Sequence, residues 1–111
     1  MIILLLWKVI NYMARYAVKQ PNGLYCYYSD SVHQVFAYNM TFEQLVGYNA
    51  DRWKKSDEEA ERDMRWMLEN RLYTFEELLE DWVWHNEEIH EAMKADPATV
   101  KPWYHPQQNC I

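Results

Sequence analysis

Two histidines, His85 and His90, flank Asn86, Glu87, Glu88 and Ile89, a mixture of residue types that could hold zinc. The spacing argues against it. Two ligands on one helical face need a step of four, as in His-Glu-x-x-His, whereas a step of five turns the second imidazole by about 140° on a 3.6-residue period. With no cysteine nearby to complete a set, neither a metal nor a cofactor is expected. Cys26 and His33 are the one nucleophile and base that a tight strand pair could bring together. A lone cysteine among tyrosines in a strand behaves as a small apolar side chain, and neither an oxyanion hole nor an orienting acid accompanies it. Glu58 and Asp63 form a carboxylate pair of the kind any acidic helix carries, and two glycines do not make a phosphate-cradling loop. The expectation is a protein that is not an enzyme.

Charge is the informative feature. Residues 57–91 hold thirteen of the chain's seventeen acidic residues against three arginines, which leaves −10 on this stretch of a chain whose net charge is −6. Between Thr74 and Met93 there is no lysine or arginine at all, so like charges three and four apart repel at a cost of about 0.2–0.5 kcal/mol per pair. Solubility alone would be served by interspersed lysines. The candidate partner-binding residues are therefore Asp57, Glu58, Glu61, Glu76, Glu77, Glu80, Asp81, Glu87, Glu88 and Glu91, with Trp84 as an aromatic anchor beside them. Trp66 and Trp84 both fall off the apolar stripes of their helices, which places them either at an interface or in a second buried side.

The opposite charge gathers in the first half, where Arg15, Lys19, Arg52, Lys54 and Lys55 lie among Tyr16, Tyr25, Tyr27, Tyr28 and Trp53. Cations beside stacking rings suit a single nucleic-acid strand, but the acidic helices would repel it. The tyrosines read more simply as a sheet face packed on helices with their hydroxyls reaching water.

The elements that must position these groups follow from local signals. Residues 14–19 and 24–28 are rich in strand-favouring aromatics and flank Gln20, Pro21, Asn22 and Gly23, which predicts a hairpin closed by a type I turn with a bulge at the glycine. A polar break at Ser29, Asp30 and Ser31 precedes a third strand over 32–38. From Thr41 the period changes, and three capping boxes follow: Thr41 with Gln44, Ser56 with Glu59, and Thr74 with Glu77. Staples from Met40 to Leu45 and from Tyr73 to Leu78 strengthen the first and third. The predicted helices cover 42–53, 57–70 and 75–94. Ala60, Met64, Met67 and Leu68 form the core stripe of the second; Phe75, Leu78, Leu79, Trp82, Ile89 and Met93 form that of the third.

One hundred and eleven residues with half apolar, six Trp and nine Tyr make a single folded domain over 1–111. The apolar run from Ile2 to Trp7 is too short to span a membrane, which needs about 20 residues, and lacks the flanks of a signal peptide. It reads as a buried strand or a dimerising edge; Met13 offers an alternative start that would make 1–12 an extension. Cys26 and Cys110 do not form a disulfide framework, which suits a reducing, cytoplasmic setting. After Asp96 and Pro97 the helix cannot continue, and 97–111 is an extended tail whose Trp103, Tyr104 and His105 either dock on the body or form a recognition peptide.

The architecture expected is α+β, a small antiparallel meander of two to three strands followed by three helices that cover one of its faces. In size, in charge and in the opening Met13-Ala-Arg-Tyr-Ala-Val-Lys-Gln-Pro-Asn-Gly-Leu-Tyr25, the chain resembles small acidic proteins of phages and mobile elements, including anti-CRISPR proteins. That resemblance implies an inhibitor that binds a CRISPR effector directly and without catalysis. The carboxylates would occupy a basic, nucleic-acid-binding site as a mimic of phosphates. The alternative is a module that self-associates, as a homodimer, through its aromatic surface or its N-terminal apolar segment.

Overall fold

The computed structural model describes residues 15–70, 73–83 and 86–105. The hairpin forms as its turn residues dictate. Strand β1, Arg15–Lys19, pairs antiparallel with β2, Tyr25–Ser29, in a register that sets Val18 opposite Cys26. Between them the Gly23 N–H donates to Gln20 O (3.0 Å), the Gln20 N–H donates to Leu24 O (2.8 Å), and Gly23 takes φ 88°, the positive value that a bulged type I turn requires. Strand β3 runs over Gln34–Met40, two residues later than the sequence pattern places it, because the turn from β2 extends to His33. Strand β4, Trp103–Tyr104, adds to the far side of β3, so among the described residues the sheet has the order β1-β2-β3-β4. The tail therefore docks: Trp103 stacks on Tyr38 (5.1 Å between ring centroids), Tyr104 on Tyr48 (5.7 Å), and the His105 N–H donates to Phe36 O (2.7 Å).

Four helices are described: α1, Phe42–Trp53; α2, Asp57–Asn70; α3, Phe75–Asp81; and α4, Glu87–Ala92. The capping boxes of Thr41 with Gln44 and of Thr74 with Glu77 are both complete. At Ser56 the hydroxyl accepts from the Glu59 N–H (3.1 Å), but the Glu59 carboxylate takes the hydroxyl itself (3.4 Å) rather than the backbone.

Two expectations are corrected. The helix expected over 75–94 is two helices. Trp82 leaves the helical region at ψ 95° and is buried, and Asn86 starts α4 by accepting from the N–H groups of Glu88 (2.8 Å) and Ile89 (3.4 Å). Asparagine competes for backbone donors and favours a cap over a helix interior, which sets the start of α4 at Asn86.

The helices also do not share one face of the sheet. Ala17, Tyr27, Ala37 and Met40 pack with Leu45, Tyr48, Met64 and Met67 of α1 and α2, whereas Val18, Cys26, Tyr28 and Val35 pack with Phe75, Leu78, Trp82 and Met93. Successive strand residues point to opposite faces, so α1 and α2 cover one face and α3 and α4 the other. Burial on both faces explains why the strands lack clean alternation. Bulges in β3 add to this: its register against β2 slips between Tyr25 and Tyr27 and again between Tyr27 and Tyr28. Asn39, at φ 60°, lies at the first slip. The outer edge of β1 is itself engaged, since the Ala17 N–H donates to Met67 Sδ (3.1 Å). Among the described residues no helix is long and apolar enough to cross a membrane.

Candidate partner-binding surface

The acidic helices α3 and α4 are held from both ends. Thr74 and Tyr73 start α3, with Tyr73 packed in the cluster that holds Leu78. The C-terminal end of α4 is tied to the sheet by three amides. The buried Gln20 donates from Nε2 to Asn39 Oδ1 (2.7 Å) and to Met93 O (3.3 Å), Asn22 Nδ2 donates to Ala95 O (2.9 Å), and Asn39 Nδ2 donates to Ala92 O (3.1 Å). The Asn39 backbone N–H donates to Gln20 Oε1 (2.7 Å), which closes the network around the β3 bulge. Backbone N–H groups of Met93, Lys94 and Ala95 close the last turn on Ile89, Glu91 and Ala92, and the amide side chains add donors to Ala92 O and to the Met93 and Ala95 carbonyls just beyond it.

On this framework Glu76, Glu77 and Glu80 of α3 and Glu87, Glu88 and Glu91 of α4 are exposed. Several have local duties: Glu77 Oε1 accepts from the Thr74 N–H (3.0 Å), Glu91 pairs with Lys94 (3.1 Å), and Glu87 approaches His90 at 3.9 Å. Asp57, Glu58 and Glu61 are exposed on α2, with Glu61 paired to Arg65 (3.0 Å). Because α2 packs on the other face of the sheet, the ten carboxylates named from the sequence do not form one surface. They divide into an α2 group and an α3/α4 group.

Asp81 differs from its neighbours. Its Oδ2 accepts from Tyr28 OH (3.3 Å) and Tyr73 OH (3.2 Å), and its carbonyl lies 2.9 Å from His33 Nδ1. Tyr73 stacks on Tyr16 with centroids 4.1 Å apart, and Tyr16 OH donates to Asp30 Oδ2 (3.3 Å). Burial, and then the Asp81 charge, push the phenols of Tyr28 and Tyr73 well above the usual tyrosine range. Asp30, Glu77, Glu80 and Asp81 thus rim a shallow groove of about 430 Å³ over Tyr73. Asp30 was not legible as a member, because it reaches the groove from the turn after β2. Beside α4, a second groove of about 500 Å³ is lined by Val32, Val35, Trp82, Ile89 and Trp103 together with the polar Gln34 and Asn86.

The other sequence candidates separate. Cys26 is fully buried, and burial raises its thiol far above the ordinary value; His33 sits in the turn against Asp81. Asp63 is in direct contact with Lys55 Nζ, while Glu58 is exposed. Tyr27 and Tyr28 are core, so the strand tyrosines offer no open stacking platform with the cations. Trp66 is 45% exposed, on the solvent side of α2; Trp84 and His85 lie outside the described residues, as do 1–12. Glu87, His90 and Glu91 bring ligand atoms within 4.8 Å of one another on one turn, a grouping that the His85 and His90 spacing does not suggest. Compared with protein-family models, curated proteins and solved structures, the chain matches none.

Proposed function

We propose that the protein acts without catalysis, by laying the α3/α4 carboxylates on a basic surface of another macromolecule. The observation that carries this reading is the exposed set Glu76, Glu80, Glu87 and Glu88 on two short helices, in a stretch with no lysine or arginine between Thr74 and Met93. Carboxylates fixed on capped helices accept bidentate bonds from arginine and take the place of phosphates, which makes a nucleic-acid-binding site the natural target. In its narrowest form the partner is a CRISPR effector, met in the cytoplasm, and the protein is its inhibitor. Electrostatics contributes rate and specificity more than affinity. The mixed groove of Val32, Trp82, Ile89 and Trp103 with Gln34 and Asn86 adjoins α4 and supplies an anchor that a partner side chain can fill.

The test is capture of partners by tagged protein from host lysate, with nuclease, at low and high salt, alongside a variant carrying Glu76→Lys, Glu80→Lys, Glu87→Lys and Glu88→Lys. A basic, nucleic-acid-handling partner should be retained at low salt, released at high salt and lost with the variant. Retention that ignores both salt and the variant would overturn the acidic-surface reading. Recovery of only the chain itself, insensitive to salt, would replace it with self-association through exposed apolar residues such as Val83 and Trp66.

A further inference from the structure

On the opposite face from α3 and α4, a cavity of about 260 Å³ opens between the sheet and α1/α2, lined by Arg15, Tyr27, Asn49, Trp53, Lys55, Met64 and Met67. Its chemistry is the reverse of the surface described above. The Arg15 guanidinium lies over the Trp53 ring at 4.7 Å, and the Arg52 guanidinium approaches the same ring at 5.6 Å while donating to Tyr48 OH (3.2 Å). The Trp53 indole bonds to the Tyr27 hydroxyl, which holds the ring in place. Lys55 stands at the rim, drawn to Asp63, so the nearest carboxylate is already engaged. Arg15 Nε is buried without a hydrogen-bond acceptor, and among the described residues Arg15 has no carboxylate at ion-pair distance. A cation over a ring gains from the face of the indole but keeps its N–H groups to satisfy.

We infer that this cavity is a binding site for a small organic anion, a phosphomonoester or carboxylate joined to a flat apolar body. The anionic head would accept from Arg15 and sit in the field of Lys55 and Arg52, and the body would lie on Met64, Met67 and the Trp53 ring. The size suits a ligand of a few heavy atoms around one ring. The α3/α4 carboxylates lie across the sheet and are screened over about 10 Å at ordinary salt, while Asp63, the α2 carboxylate in contact with a lining residue, is paired with Lys55.

Titration of the full chain with phenyl phosphate, benzyl alcohol and inorganic phosphate, followed by NMR at the indole N–H of Trp53, tests the site; Trp53→Phe assigns the resonance. Phenyl phosphate should give a saturable shift, benzyl alcohol should bind about tenfold or more weakly, and Arg15→Gln should weaken phenyl phosphate by a similar factor, as expected for a charge-assisted contact. Lys55→Gln provides a second variant, expected to weaken binding severalfold, should Arg15→Gln fail to fold. The absence of a saturable shift, equal binding of benzyl alcohol, or indifference to both substitutions would overturn the assignment.

Discussion

Replacing Asn39 with alanine tests how α4 is held. Asn39 is 3% exposed and sits at φ 60°, where an asparagine is tolerated and an alanine is strained. Its side chain accepts from Gln20 Nε2 (2.7 Å) and Asn22 Nδ2 (3.2 Å) and donates to Ala92 O (3.1 Å). Each lost bond is worth about 1 kcal/mol net, with Ala92 O keeping only the long bond from the Ala95 N–H (3.3 Å), and the left-handed backbone adds about 1 kcal/mol more. Asn39→Ala should therefore cost about 4 kcal/mol, and Asn39→Gly, which loses the bonds but not the backbone fit, about 3 kcal/mol. Against a total stability of about 5–15 kcal/mol for a small domain this is severe. Urea unfolding followed by circular dichroism should show the midpoint fall with the slope unchanged, and melting should drop by about 15 °C. A cycle with Gln20→Ala should be non-additive, because the two amides share their bonds. An alanine variant within about 1 kcal/mol of the parent would refute the network as a support for α4, and a glycine variant no better than alanine would refute the backbone strain at Asn39.

Three further outcomes follow from the same geometry. Asp81→Ala should lower stability by about 1 kcal/mol, the lower end for two lost hydroxyl bonds because the side chain is 41% exposed and water can substitute, and should weaken partner capture less than the fourfold lysine variant does. Burial raises the Tyr27 phenol to about 12 in the folded protein, above the ordinary 10. Its contribution is therefore fully present below pH 10 and is lost as pH climbs from 10 to 12, with a slope of up to about 1.4 kcal/mol per pH unit. Melting curves across that range should show the decline, and Tyr27→Phe should make it shallower without abolishing it, because the raised phenols of Tyr28 and Tyr73 act in the same direction. Cys26 should resist a thiol reagent in native buffer and react at once in denaturant, given its burial and the upward push on its thiol; rapid native labelling at Cys26 would contradict the packing of β2 against α3.

Local signals decide local structure, and there the chain was legible from its residues. The turn at 20–23, the caps at Thr41 and Thr74 and the core stripe Ala60, Met64 and Met67 depend on neighbours within about five residues, so their outcome is written in composition and spacing. The break at Trp82 was less so. Trp82 and Ile89 keep helical spacing, and Asn86 wins as a cap through a competition that periodicity does not see. What only the tertiary structure decided is which carboxylates share a surface. Strand residues buried on both faces cannot say which helix lies where, and that placement puts Asp57 and Glu61 across the sheet from Glu80 and Glu88, turns Asp81 inward to Tyr28 and Tyr73, and brings Arg15 from the first strand onto Trp53 at the end of α1. These contacts join residues far apart in the chain, and the free energy that selects them comes from burying two apolar faces at once, a property of the whole fold rather than of any segment.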